Sequence, residues 1–210
     1  MHIIKPSLEF FSAIDLSVDY KSRKEFEYCE FSQCIFPDLS QLTFRDCIFK
    51  TCNFSNLKTT QSILQNCVFK NCKLLGLNFA GAKDFAFEVH FENCMMDYAS
   101  FDKKKMNKSS FKSCKMHGVN FTQADLSKST FANCDFYDAL FPGTNLSGVD
   151  LTSCIHLVID PEVNNKKSKI LIAKPPWTFA TPRNYCSKRF LNSAIFFTLA
   201  LCKLKVFLNS

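Results

Sequence analysis

A large apolar residue recurs at every fifth position through most of the chain. The longest run begins at Phe91 and continues without a miss through Met96, Phe101, Met106, Phe111, Met116, Phe121, Leu126, Phe131, Phe136, Phe141, Leu146 and Leu151. Earlier runs contain Phe26, Phe31, Phe36, Phe44, Phe49, Phe54, Leu64, Phe69, Leu74 and Phe79. An amphipathic helix repeats about every 3.6 residues and a strand about every 2, so neither explains this period. The pattern predicts a solenoid whose short, equal segments each turn one large side chain inward.

A smaller residue precedes each large one by two positions. Cysteine occupies this place at Cys29, Cys34, Cys47, Cys52, Cys67, Cys72, Cys94, Cys114, Cys134 and Cys154. Alanine, serine and valine fill most of the others, and the remaining positions of each repeat are mainly polar. The sequence therefore predicts that a small and a large side chain of every repeat point into a narrow core.

This arrangement resembles the pentapeptide-repeat family, whose consensus is A(D/N)Lxx. The stretch FTQADLSKSTF at 121–131 carries that form closely, and the resemblance covers about residues 24 to 156. It implies an all-β solenoid, a right-handed quadrilateral β-helix with four repeats per turn, roughly seven coils and terminal caps. Residues twenty apart should then stack on one face, as the spacing of Cys94, Cys114, Cys134 and Cys154 allows.

The pattern divides the chain into three parts. Residues 1–23 lack the repeat and are predicted to cap the N-terminal end, residues 24–158 to form the β-helix, and residues 159–210 to form a C-terminal cap or tail. Asp160, directly before a proline, is the predicted N-cap of a short helix. Residues 166–210 hold nine basic residues and no acid, whereas residues 1–165 have a formal charge of −2.

Three interpretations of the basic tail are open. It is a basic arm for nucleic acid or an anionic membrane surface, a C-terminal dimerisation module, or a poorly ordered segment produced by a shifted reading frame. We favour the shifted frame because every acid disappears at one sharp point, and resequencing codons 160 to 210 tests it. The apolar run at 194–202 is about half the length that a membrane span needs, so no span is predicted.

The five-residue phase slips twice. Phe36 and Phe44 are eight residues apart, which predicts a three-residue insertion, and Phe79 and Phe91 are twelve apart, which predicts a two-residue insertion. With both removed, Cys29 joins the column of the later cysteines. Both slips then fall on one face, the third when the cysteine column is the first.

Lys104 interrupts the small inward position on the same face. A buried lysine without a partner is costly, so a local bulge or an outward-turned side chain is predicted. The slips and this lysine define a candidate partner surface, which contains Asp38, Lys83, Asp84, Lys103, Lys104 and Lys105. Insertions that merely occur where loops are tolerated are the alternative, and the more frequent case in solenoids.

Candidate catalytic groups are few in this sequence. Of the four histidines only His156 falls on the inward phase, where we predict a residue at the end of the core rather than a base or a ligand. Asp135, Asp138 and Asp150 fall on outward phases and are predicted to be solvated. Phosphate-binding glycine loops and the G-x-S-x-G and H-E-x-x-H motifs are absent. We therefore predict a protein that is not an enzyme, with no cofactor and no small-molecule substrate.

The cysteines indicate a reducing environment. Twelve cysteines suggest disulfides in a short secreted chain, but ten of them occupy the small inward position, where cysteine acts as a compact apolar residue. The N-terminal residues show no secretory signal pattern, so unpaired thiols and a cytoplasmic location are predicted. C-x-x-C spacing does not occur, which argues against structural zinc.

Function is thus expected on the outer surface, as a non-catalytic protein-interaction module. The resemblance implies one specific case, since some members of the family imitate duplex DNA, bind DNA gyrase or topoisomerase IV, and protect them from quinolones. A DNA mimic should be strongly acidic, and a charge of −2 over residues 1–165 argues against strong mimicry. The alternatives are a structural scaffold rod with an unidentified protein partner and nucleic-acid binding through the basic tail.

Overall fold

The computed structural model describes residues 7–19 and 22–159. These residues form ten short strands and two short helical segments. The strands are β1 (Glu9–Ser12), β2 (Glu25–Glu27), β3 (Cys29–Ser32), β4 (Thr43–Arg45), β5 (Ile48–Lys50), β6 (Ile63–Gln65), β7 (Cys67–Lys70), β8 (Val89–Glu92), β9 (Ser110–Lys112) and β10 (Thr130–Ala132). The helical segments are α1 (Leu16–Asp19) and a 3₁₀ helix (Phe79–Gly81).

The strands belong to two parallel sheets. The larger sheet has the order β1-β3-β5-β7-β8-β9-β10, and the smaller one has the order β2-β4-β6. Neighbouring strands of the larger sheet are one turn apart, so six turns separate β1 from β10. The predicted fold class, a parallel β-solenoid, is confirmed, with about six turns rather than seven. Strand β1 lies in the segment predicted to be the N-terminal cap and pairs with β3.

The large inward residues form four columns along the solenoid. Column 1 contains Phe11, Phe31, Phe49, Phe69, Phe91, Phe111, Phe131 and Leu151. Column 2 contains Leu16, Phe36, Phe54, Leu74, Met96, Met116 and Phe136. Column 3 contains Leu39, Thr59, Phe79, Phe101, Phe121 and Phe141. Column 4 contains Phe26, Phe44, Leu64, Met106, Leu126 and Leu146. We call the outer surface over each column face 1 to face 4.

Phenylalanine rings of successive coils stack within a column. In column 1 the ring centroids of Phe91 and Phe111 are 5.2 Å apart, and those of Phe111 and Phe131 are 4.7 Å apart with parallel planes. Rings of neighbouring columns meet edge to face, as Phe101 and Phe111 do at 6.0 Å. Both geometries are favoured by the aromatic quadrupole. One residue type repeated at one position therefore fills the core.

Turns at the corners explain the polar positions of the repeat. The residue two places after a large residue has a positive φ angle in nearly every repeat, for example 59° at Asn56 and 56° at Gln123. Asn and Asp tolerate this left-handed region better than most residues. Directly before a large residue, an Asp or Asn side chain accepts a hydrogen bond from the N–H two positions on, as Asp125 does from Ser127 at 3.0 Å. Polar residues thus close each corner locally.

The first phase slip is a shortening and not an insertion. Phe31 pairs with Phe49, so this coil has 18 residues, two fewer than a regular one. Leu39 fills column 3 and is buried. In a five-residue repeat, three extra residues and two missing residues give the same phase, and only packing distinguishes them. The predicted three-residue insertion is therefore wrong.

This shortening changes the cysteine column. Cys29 stacks under Cys47, whereas Cys34 stacks under Cys52 and begins the longer column. The prediction that Cys29 joins that column is corrected to Cys34. The second slip is confirmed as a two-residue insertion, because Phe69 pairs with Phe91, 22 residues on. It lies at column 4 with Lys104, while the shortening lies at column 3, so the two slips are not on one face.

The predictions for Asp160 and for the basic tail concern residues outside the described ranges. Among the described residues, the model contains no helix that is long and apolar enough to cross a membrane.

Candidate partner-binding surface

The cysteine thiols are inward and hydrogen-bonded. The Sγ atoms of Cys34, Cys52, Cys72, Cys94 and Cys134 lie 3.3 to 3.6 Å from a carbonyl oxygen of the preceding coil. All ten described cysteines are free and buried. Burial raises the pKa of Cys29 to about 11 and that of Cys47 to about 12. Because the thiolate is the reactive form, Cys29 and Cys47 are poor nucleophiles at neutral pH.

Lys104 is buried, so of the two predicted alternatives, a local bulge or an outward-turned side chain, the outward turn is wrong. Its side chain is only 2 % exposed at the small inward position before Met106. Its ammonium donates to the carbonyl oxygen of Ala82, lies 2.9 Å from Asp84 Oδ1, and lies 4.9 Å from the centre of the Phe87 ring. The prediction assumed that no partner was available. The inserted segment of the preceding coil supplies three.

These contacts fix the inserted segment to the core, while the tip of the segment is exposed to solvent. Ala82 and Phe87 are buried at its two ends, and the Phe87 ring packs edge to face against Phe79 at 6.1 Å. Phe85 at the tip is 76 % exposed. Aromatic residues, Phe among them, are enriched at protein interfaces, so Phe85 is a candidate contact residue.

Lysines surround this tip. Lys83, Lys105 and Lys108 are exposed, and Lys108 has only a long contact of 4.0 Å to Glu88. Lys103 is exposed and 3.8 Å from Asp102. We define the loop surface as these residues with the inserted tip: Lys83, Asp84, Phe85, Lys103, Lys105 and Lys108. Five of the six predicted surface residues lie in or beside it, and one of these, Lys104, is its buried anchor.

Asp38 lies apart from the loop surface. It sits in the shortened coil, where its carboxylate accepts a hydrogen bond from the Ser40 N–H at 2.9 Å. Its neighbour Leu39 stacks under Thr59, which stacks under Phe79, so two coils separate it from the inserted segment. The structure does not bring Asp38 together with the predicted lysines.

A second cluster, on face 2, was missed by sequence analysis. Asp135 accepts hydrogen bonds from two histidines, with 2.9 Å from Oδ2 to His117 Nε2 and 2.7 Å from Oδ1 to His156 Nδ1. The Tyr137 ring lies 5.5 Å from the His117 ring and 6.0 Å from the His156 ring. We call Tyr98, His117, Asp135, Tyr137 and His156 the aromatic surface, since Tyr98 lies beside His117 on the same face.

Two sequence-based predictions are corrected by this cluster. His156 does not end the core; its φ angle is +55° and its side chain is exposed. Asp135 is not simply solvated. Burial disfavours its ionised form, but the hydrogen bonds from His117 and His156 outweigh burial and lower the pKa of this carboxyl. The signal was present in the sequence, because these three residues lie about one turn apart.

An enclosed catalytic or metal-binding site is not evident in the described part of the chain. A cavity of about 410 Å³ is open and lies at the shortened coil, lined by residues that include Leu16, Phe36, Pro37 and Leu42. Within residues 7–19 and 22–159, His, Cys, Asp and Glu side chains form no group of three that could hold a metal ion.

Comparison with known proteins supports the five-residue repeat. A model of the pentapeptide repeat region matches residues 86–155. No curated protein matches the chain. Among solved structures, a trypsin-treated form of QnrB1, a plasmid-mediated fluoroquinolone resistance protein, is 18% identical and has a TM-score of 0.57, with 92% of this chain and 96% of that chain covered.

A further solved structure is HetL from the cyanobacterium Nostoc, a pentapeptide repeat protein involved in heterocyst differentiation regulation. It is 14% identical, with a TM-score of 0.43, and the match covers 69% of this chain and 75% of that one. At 18% identity the likeness to QnrB1 shows the fold alone.

Proposed function

We propose that this pentapeptide-repeat protein is a non-catalytic binding module that contacts a partner protein through its loop surface. The observation that carries the proposal is the anchored insertion: a buried lysine, Lys104, holds a two-residue insertion so that Phe85 is presented outward among lysines. Burying Lys104 is costly unless it is paired, so such an anchor is a specific device and not a tolerated irregularity.

The proposed partner is a type II topoisomerase such as DNA gyrase. The support is indirect: a fluoroquinolone resistance protein has the same fold over almost the whole length of both chains. Fluoroquinolones act on the topoisomerase–DNA complex, so a protein that binds the enzyme can oppose them. The ten free, buried thiols suit the reducing cytoplasm where that enzyme works.

The net charge of the solenoid indicates whether it could bind a topoisomerase by imitating DNA. Six turns at about 4.8 Å make a rod of about 30 Å, and duplex DNA of that length carries roughly 18 negative charges. Residues 1–165 have a formal charge of −2. Acids on face 1 are also paired, with Glu92 Oε2 3.0 Å from Lys70 and Oε1 3.1 Å from Lys112. We therefore propose that the partner is contacted through the loop surface. The small negative charge disfavours binding by imitation of DNA.

A gyrase supercoiling assay in the presence of a fluoroquinolone tests this function. Titrated full-length protein should restore supercoiling, and Phe85→Ala should raise the concentration needed by about tenfold, as expected for loss of an aromatic anchor. Phe10→Ala is the matched control, because Phe10 is 68 % exposed but lies on face 1, and it should protect like the wild type.

Each other outcome has a definite meaning. Equal protection by wild type and Phe85→Ala would keep the topoisomerase partner but reject the loop surface. Absence of protection, together with no retention of gyrase on the immobilised full-length protein, would reject the topoisomerase partner.

A further inference from the structure

The aromatic surface on face 2 has no role in the function proposed above. Its rings come from four successive coils and are held in place by contacts that leave both tyrosines exposed. We propose that it is a second binding site, which receives a cationic side chain, an arginine, presented by a protein partner. This inference rests on the described geometry and stands independently of the loop surface.

Tyr98 packs directly against the next coil. Gly118 has a φ angle of +62°, and a Cβ atom added there would lie only 2.7 Å from Tyr98 Cδ1. The ring therefore lies directly on the glycine backbone, while 76 % of the residue remains exposed. The ring thus contacts protein on the side that meets Gly118, and most of the residue is open to a ligand.

Tyr137 is held by different means. It is 54 % exposed and lies between the His117 and His156 rings, and Asp135 binds both histidines. The Tyr137 N–H also donates to Asp135 Oδ1 at 3.2 Å. One carboxylate thus orients the two histidine rings on either side of Tyr137 and binds the Tyr137 backbone, which reduces the side-chain entropy that is lost when a partner binds.

The charges of this region favour a cation. Asp135 is ionised and hydrogen-bonded to two histidines, and Asp138 beside Tyr137 is exposed without an ion pair among the described residues. Asp97 is paired with Lys115 at 3.0 Å, so this pair adds little net charge. The remaining cation of the region, Lys73, stacks under Met95 one coil earlier, at the margin.

Exposed tyrosine faces beside carboxylates match the chemistry of a guanidinium group. Arginine stacks on aromatic rings, is weakly hydrated for a cation, and forms paired hydrogen bonds with a carboxylate. Lysine offers the same charge without the planar stacking. We therefore expect the surface to prefer arginine over lysine, and both over an acidic peptide.

Fluorescence anisotropy with a labelled hexa-arginine peptide tests the site on the full-length protein. We expect Tyr98→Ala and Tyr137→Ala each to weaken binding by about fivefold, the size of one cation–π contact. Tyr137→Phe keeps the ring and should bind like the wild type. Asp135→Asn should weaken binding and reduce its salt dependence.

Controls separate this site from general charge effects and from misfolding. Phe10→Ala and Phe85→Ala should leave peptide binding unchanged, because their rings lie on other parts of the solenoid. Urea unfolding of each variant checks the fold. Hexa-lysine should bind more weakly than hexa-arginine. Unchanged affinity in both folded tyrosine-to-alanine variants, or equal binding of hexa-glutamate, would overturn the proposal. Because Phe85→Ala affects only the topoisomerase assay, failure of one proposal does not imply failure of the other.

Discussion

Columns 1 and 2 of the solenoid are regular, whereas columns 3 and 4 carry its irregularities. All ten described cysteines occupy small inward positions two residues before a position of column 1 or 2. The sheet on face 1 runs unbroken through seven strands. The sheet on face 4 ends at β6, and the inserted segment follows in the next coil. Both register slips and the buried Lys104 also lie in columns 3 and 4. One side of the solenoid thus preserves the stacking register, while the register of the other side varies.

The small inward positions explain this division. In column 2 a thiol occupies seven successive coils, and each small side chain fits a corner of the same size. In column 4 the equivalent positions hold Leu42, Ser62, Lys104, Ala124 and Thr144, which differ in size and polarity. Thr144 donates its hydroxyl hydrogen to the Phe121 carbonyl oxygen at 2.7 Å, so a polar residue is accepted where a carbonyl is available.

Alkaline pH should have the largest effect on stability, because the buried thiols lie on the regular side, beside columns 1 and 2. Burial raises the pKa of Cys29 to about 11, that of Cys47 to about 12, and that of Cys67 well above its ordinary value. Their contribution to stability is fully present below the ordinary thiol pKa of about 8.5 and is lost as pH rises through the folded-state values. The urea midpoint should fall progressively from about pH 8.5 to about pH 12. A Cys47→Ala variant should show a smaller fall; an unchanged slope would contradict the assignment to thiols.

Core truncations should show that the packing itself does not differ between the two sides. Phe111 in column 1 and Phe101 in column 3 are both fully buried between stacked rings. We expect Phe111→Ala and Phe101→Ala each to reduce the free energy of unfolding by about 3–5 kcal/mol, the usual cost of a buried Phe→Ala cavity. Urea denaturation measures this loss. A much smaller loss for Phe101→Ala would mean that columns 3 and 4 are loosely packed as well as irregular.

Changes at the lysine anchor should have the smallest effect on stability and a clear local one. Asp84→Ala leaves the Lys104 ammonium buried with fewer partners and should cost about 1–2 kcal/mol, since Asp84 is half exposed. Lys104→Met removes the buried charge itself and should cost less. Both variants should increase hydrogen exchange at residues 83–86 while exchange in β8 and β9 stays as in the wild type. Equal exchange at 83–86 in all three proteins would show that Lys104 does not hold the loop.

Prediction from the sequence succeeded where the same position of every repeat requires the same kind of side chain. The predicted large and small residues lie in the core, and the fold class was predictable because a five-residue period admits few structures. It failed where the answer depended on which residues meet across coils. A local bulge or an outward turn was predicted for Lys104. Its burial was not foreseen, because its partners, Ala82, Asp84 and Phe87, come from the preceding coil and carry no periodic signal.

The sequence by itself determined the solenoid, its inward positions and the phase of each repeat, since large side chains every five residues can share only a stacked core. The tertiary structure decided the register. A slip of eight residues has the same phase whether three residues are added or two are lost, and only the stacking of Leu39 under Thr59 distinguishes them. It also decided the outer surface, because His117, Asp135 and His156 come together only when coils of about twenty residues lie side by side.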